Sequence, residues 1–194
     1  MNYLAHAALA QPSLHSLVGN LLGDFCKGVD LTTLPHAVLA GLANHRAVDR
    51  YTDSHPLVQQ AKQQFSAQRR RFAAVALDVL FDHFLIKHWQ CFYSLPFVQA
   101  KQQLYQQLLL AEPLMPPNMR LTMTKVRQQD WLSAYQQLSS LGKALDHIAA
   151  RIRFENQFAG IIDEINPRYS EFEQVFLQFY PQLQRHTARL TLEN

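Results

Sequence analysis

Acids and imidazoles interrupt apolar stretches at several points in the first half of the chain. The sharpest case is LDVLFDHFL (77–85), where Asp78, Asp82 and His83 stand among large hydrophobic side chains. Burying a charge without a partner is very costly, so these groups must face something. His6 lies between Ala5 and Ala7. In GNLLGDF (19–25), Asp24 sits among Leu21, Leu22 and Phe25, with Asn20 one turn earlier. In NHRAVDRYTD (44–53), His45 and Asp49 are four apart and share one helix face. Arg46 and Arg50 form a second ridge beside them at the same spacing.

Imidazole and carboxylate together suit Mn, Fe or Zn. In a helical bundle such ions are held by side chains projecting inward from different helices. Each group alone has a plain alternative. His6 could be a hydrogen-bonded core histidine, and Asp24 could pair with Lys27 or a helix end. His45 and Asp49 could be a helix-surface pair worth tenths of a kcal/mol. Asp78 could pair with Arg71 or Arg46, a kind of buried ion pair that adds little net stability. Their coincidence on separate apolar helices is what points to a site. No phosphate-binding glycine loop, nucleophile elbow or CxxC motif suggests another chemistry. The triplet Arg69, Arg70, Arg71 reads as an exposed helix start, or as part of an anionic docking patch with Arg46, Arg50, Arg120, Lys125 and Arg127.

The elements that must position these residues are helical almost throughout. The first helix spans 2–11 and stops at Pro12. Ser13 caps the next, which runs to about Lys27 and ends at Gly28. Pro35 opens a third, to about Thr52, and Ser54 caps a short fourth from Pro56. The central apolar helix is expected over 69–93, and another from Pro96 to about Leu110. Three more follow over 121–139, 141–162 and 167–190, with an interruption at Asp130 and Trp131. No alternating run is long enough for a strand. The expected fold is all-α, a single domain over 1–194 built as a bundle of roughly eight helices.

Bulk numbers agree. Of 194 residues, 48% are hydrophobic and 17% charged, enough core for a folded domain and too little charge for disorder. Only six glycines are present, which favours helix over sheet. A net charge of +3 is no nucleic-acid signature, but it suits an acidic partner or a phosphorylated substrate. Two cysteines without metal or redox spacing, no basic leader, and no run of about 18 apolar residues point to a reducing cytoplasm and no membrane span.

Taken in order, MNYLAH, GNLLGDF, HRAVD and DVLFDHFL resemble the acyl carrier protein phosphodiesterases, and FLQFYP near the C-terminus extends the likeness over nearly the whole chain. The resemblance implies a helical fold related to the HD phosphohydrolases and a divalent metal, with Mn²⁺ expected. It implies hydrolysis of the phosphodiester that joins 4′-phosphopantetheine to a serine of holo-acyl carrier protein. The motifs carry over His6, Asp24, His45, Arg46, Asp49, Asp82 and His83. The adjacent pair reads Asp82–His83 where HD enzymes have His–Asp, so ligand roles do not transfer by position. On this footing His6, Asp24, Asp82 and His83 are the expected metal site, with Asp24 as ligand or base. His45, oriented by Asp49, is the expected acid for the leaving serine, and Arg46 or Arg50 the phosphate contact. The alternatives are a metal-dependent phosphohydrolase of a small substrate such as a nucleotide, and a non-catalytic helical module that binds acyl carrier protein.

Overall fold

A computed structural model describes residues 1–193. The helices are α1 (Tyr3–Ala8), α2 (Leu14–Leu22), α3 (His36–Ser54), α4 (Pro56–Gln63), α5 (Ala73–Lys87) and α6 (Trp89–Phe92), then α7 (Phe97–Leu110), α8 (Pro117–Gln128), α9 (Trp131–Ala134), α10 (Leu138–Arg151), α11 (Ile162–Ile165) and α12 (Tyr169–Leu190). Eight of these have eight residues or more, and no strand occurs among the described residues. The all-α bundle is therefore as expected. Among the described residues, no helix is long and apolar enough to cross a membrane.

Local chemistry sets several boundaries. The Ser13 side chain accepts from the Ser16 amide and starts α2. Gly28, with φ +79°, takes the left-handed conformation just beyond the tight turn Gly23–Phe25. Pro35 and Pro96 directly precede α3 and α7. Asp130 has φ 46° and caps α9 through the Ser133 amide, which is the interruption expected there. Ser54, by contrast, does not cap α4. Its hydroxyl donates back to the Arg50 carbonyl, and His55 takes the cap position.

Several expected helices are shorter, and α2 ends at Leu22, not Lys27, where the chain tightens into the turn Gly23–Phe25. The central helix begins at Ala73, because 70–72 form a tighter turn, and it ends at Lys87 before the separate α6. The helix expected over 141–162 stops at Arg151. Beyond it, Asn156 accepts from the Phe158 amide in a side-chain turn, and Gly160 adopts φ +71°. The Arg69 guanidinium then donates to the carbonyls of Gln157, Ala159 and Gly160. Arg71 lies over the rings of Phe72 and Phe154. Arg69 and Arg71 thus hold the 152–161 segment and do not form a free docking patch.

The main core gathers around α5 and α12. Eleven of the fifteen residues of α5 are buried, so it is a core helix on nearly every face. A second core joins α2, the start of α3, α7 and α8, with Met115, Met119 and Met123 in it. The α2–α3 pair carries the site. A side chain at Gly19 would meet the Gly41 backbone at 2.7 Å, so two glycines let these backbones touch.

Candidate metal centre

His6 on α1 and His45 and Asp49 on α3 converge. A donor atom from each lies within 4.8 Å of the others. His6 Nε2 is 3.2 Å from Asp49 Oδ1, and His45 Nε2 is 3.0 Å from Asp49 Oδ2. The two imidazoles stack with centroids 3.9 Å apart and planes 18° apart. Both histidines are buried, whereas Asp49 is 39% exposed, so the cluster opens to solvent on the carboxylate side.

The partners decide the tautomers. His45 Nδ1 lies 2.7 Å from the Asn20 carbonyl, an acceptor only, so it carries a proton. In the neutral ring Nε2 is then a lone pair aimed at a carboxylate oxygen. Two lone pairs at that range repel unless a proton or a metal cation sits between them. A backbone carbonyl fixing one ring nitrogen so that the other can ligate is the usual outer support of a metal-bound histidine. His6 Nε2 faces two acceptors, the Met1 carbonyl at 3.1 Å and Asp49. Its Nδ1 is buried with no hydrogen-bond partner among the described residues. This donor set of two imidazoles and a carboxylate fits a divalent transition metal.

Charge is distributed accordingly. Burial pushes His6 down to about 4, against the pull of Asp49, so the ring is neutral near pH 7. Burial also works against protonation of His45, but the Asp49 hydrogen bond and charge outweigh it and raise the pKa. Asp49 is itself penalised by burial, yet hydrogen bonds from His45 and His6 hold it well below the usual carboxylate range. The Met1 amino group lies 3.3 Å from Asp49 and 2.9 Å from Asp78. Asp78 therefore pairs with an ammonium on α1's side and not with Arg71 or Arg46.

Gly23 and Asn20 were not anticipated as site residues, although both lie in GNLLGDF. Asn20 supplies the carbonyl that orients His45. A Cβ at Gly23 would overlap the His45 ring, so only glycine leaves the imidazole its place. One residue on, Asp24 occupies the solvent-facing rim. Protein crowding around its carboxyl raises the pKa. His45 opposes this, and Asp49 and Asp78 add to it.

The structure does not bring Asp82 and His83 into this cluster. Asp82 is wholly buried, and its two oxygens accept from the amides of Leu4 and Ala5, each at 3.0 Å. It anchors the first turn of α1, an N-terminal charge position favoured by the helix dipole. Burial pushes its pKa up to about 7 despite those bonds. His83 turns to another face, where Nδ1 meets the Tyr135 carbonyl at 2.7 Å and Nε2 meets the Tyr169 hydroxyl at 2.8 Å. Neither ring nitrogen is free for the cation cluster. Arg46 and Arg50 are exposed on α3, and neither guanidinium makes a hydrogen bond or ion pair with the described residues.

Residues 1–183 match the family model described as acyl carrier protein phosphodiesterase. The chain is 39% identical over 184 residues to the acyl carrier protein phosphodiesterase of Serratia proteamaculans (strain 568), covering 94% of this chain and 95% of the relative. It is 37% identical over 186 residues to that of Yersinia pestis, covering 95% and 96%. With that of Escherichia coli O157:H7 it shares 32% over 193 residues, covering 99% and 100%. No solved structure matches the chain.

Proposed function

The chain belongs to the acyl carrier protein phosphodiesterase family, and from that premise we propose that it hydrolyses the phosphodiester joining 4′-phosphopantetheine to the serine of holo-acyl carrier protein. The observation that carries the chemical part is the His45–Asp49–His6 cluster, whose donor atoms lie within 4.8 Å of one another. We assign the divalent metal, with Mn²⁺ as the expected ion, to His6, His45 and Asp49. When bound there it would polarise a phosphoryl oxygen and lower the pKa of a water.

The chain's own groups divide the remaining work. The Asn20 carbonyl keeps the His45 ring in one tautomer. Asp82 holds α1, and with it His6, against α5. His45 and Asp49 belong to the cluster itself, so the proton that must reach the serine oxygen falls to another group. Asp24 is at the rim with a raised pKa, which suits a group that gives and takes a proton near the reacting oxygens. Arg46 and Arg50, exposed on the adjoining ridge of α3, would meet the phosphate or the carrier's acidic surface. An acidic protein substrate in the cytoplasm fits the +3 net charge, and turnover should fall as salt screens the encounter.

Mass spectrometry of holo-acyl carrier protein incubated with the protein and Mn²⁺ tests the reading through loss of the prosthetic group. Asp24→Asn should lower that release by about 10²-fold or more while metal content stays at the wild-type level. A folded Asp24→Asn variant with wild-type release removes Asp24 from the reaction. Failure of the wild-type protein to release the arm removes the whole proposal.

A further inference from the structure

His83 and Tyr169 lie outside the metal cluster, on a cleft of about 600 Å³ between α5, α7, α12 and the start of α10. Small-molecule sites commonly span about 300–1,000 Å³. None of the residues lining this cleft belongs to the metal cluster.

The cleft has an apolar stretch and a polar end. Ile86, Phe97, Val98 and Leu138 line it, and Val98 is 59% exposed. At the other end the Tyr169 hydroxyl accepts from Lys87 at 3.2 Å and donates to His83 Nε2 at 2.8 Å. The direction of that donation is fixed, because His83 Nδ1 must carry the proton it gives the Tyr135 carbonyl. The Lys87 ammonium lies over the Tyr169 ring, 4.8 Å from its centroid. Lys87 is therefore held at the cleft mouth, and 43% of its side chain remains exposed.

The charges set the sign of the ligand. Among the described residues, Lys87 is the one ionised side chain lining the cleft. Its partner Glu173 lies outside the lining and bridges Lys87 and His88, each at 2.6 Å. Lys87 spends one N–H on Glu173 and one on the Tyr169 hydroxyl, which leaves a third for an incoming anion. A ligand cation would meet Lys87 at short range and be repelled.

We propose that this cleft is a second ligand site, for a medium-chain carboxylate whose chain lies over Ile86, Phe97, Val98 and Leu138 and whose head meets Lys87. The site is independent of the phosphodiesterase reading.

Methyl NMR of the full chain, titrated with octanoate below its micelle concentration, tests this. The methyls of Ile86, Val98 and Leu138 should shift together and saturably. Lys87→Met should weaken octanoate binding about tenfold or more, as expected for loss of a charge-assisted contact. Val98→Asp should abolish it while leaving the fold intact, since residue 98 is exposed. Octanamide should bind more weakly than octanoate, and octylamine not at all. Equal affinity for the three head groups, unchanged affinity in Lys87→Met, or shifts centred elsewhere would each overturn the assignment.

Discussion

Replacing Gly23 with alanine isolates the contact that keeps His45 in place. The backbone there is ordinary helix, φ −52° and ψ −37°, so alanine is permitted and should by itself stabilise by about 0.5–1 kcal/mol over glycine. The new Cβ, however, would occupy the space of the His45 ring. The ring must swing out, losing the Asn20 carbonyl and Asp49. Each buried polar group left without its partner costs about 1–3 kcal/mol, so the loss outweighs the propensity gain. Gly23→Ala should therefore lower stability on the order of 2 kcal/mol in urea unfolding of the metal-free protein. Mn²⁺ affinity, measured by titration calorimetry, should fall by more than the roughly 10–100-fold typical of losing a ligand's outer support, because a proposed ligand is itself displaced. The control is the same substitution in a His45→Ala background. There the Cβ enters vacated space, and the sign should reverse to a small gain. A Gly23→Ala protein as stable as wild type, or a loss that persists without the imidazole, would refute the steric argument.

Four further predictions concern the surroundings of the cluster and the 152–161 segment. Asp82→Ala should cost about 2–4 kcal/mol in urea unfolding, because the buried Leu4 and Ala5 amides lose their acceptor; a change below about 0.5 kcal/mol would contradict the anchoring role. The raised Asp82 pKa also sets a pH dependence. Between the ordinary 3.8 and about 7 the unfolded chain releases this proton and the native state keeps it, so Asp82 lowers stability progressively as pH rises through that window. Stability of wild type relative to Asp82→Asn should fall over that range and level off above it. The His6 ring should stay neutral down to about pH 4, visible in its ring-nitrogen shifts in the metal-free protein; titration near 6.5 would show that burial does not govern it. Arg69→Ala should hasten proteolytic cleavage within 152–161, since three carbonyls of that segment lose their shared donor, and an unchanged digestion rate would rule the clamp out.

Much of the fold was legible because its signals are local. Ser13, Pro35 and Pro96 mark helix starts by backbone chemistry that needs no distant partner. The interruption at Asp130 is of the same kind, a short polar side chain that tolerates the left-handed region and caps α9. The 152–161 segment was not legible, because what holds it out of helix is Arg69, more than eighty residues upstream. The site was legible in part. His6, His45 and Asp49 each stand out in the sequence by residue type and spacing, but the sequence does not say which of the acids and imidazoles meet. Which donors converge depends on how α1 and α3 meet. That geometry rests on two glycines between α2 and α3 and on a carboxylate anchoring α1 from α5.

The helix 73–87 shows why the adjacent pair misled. A step of one residue along an α-helix turns the side chain by about 100°, whereas a step of four brings it nearly back. Asp78 and Asp82 are four apart and both look toward α1, one at the Met1 amino group and one at the Leu4 and Ala5 amides. His83 comes directly after Asp82 and is therefore carried round to Tyr135 and Tyr169. On a helix buried on nearly every face, both directions hold neighbouring elements, so neither residue needs a cation to satisfy it. His45 and Asp49 obey the other rule. Four apart on α3, they face each other, with His45 Nε2 3.0 Å from Asp49 Oδ2. Adjacency on this helix thus separates two jobs, whereas a spacing of four aligns side chains on one face, each with its own partner as for Asp78 and Asp82 or facing each other as for His45 and Asp49.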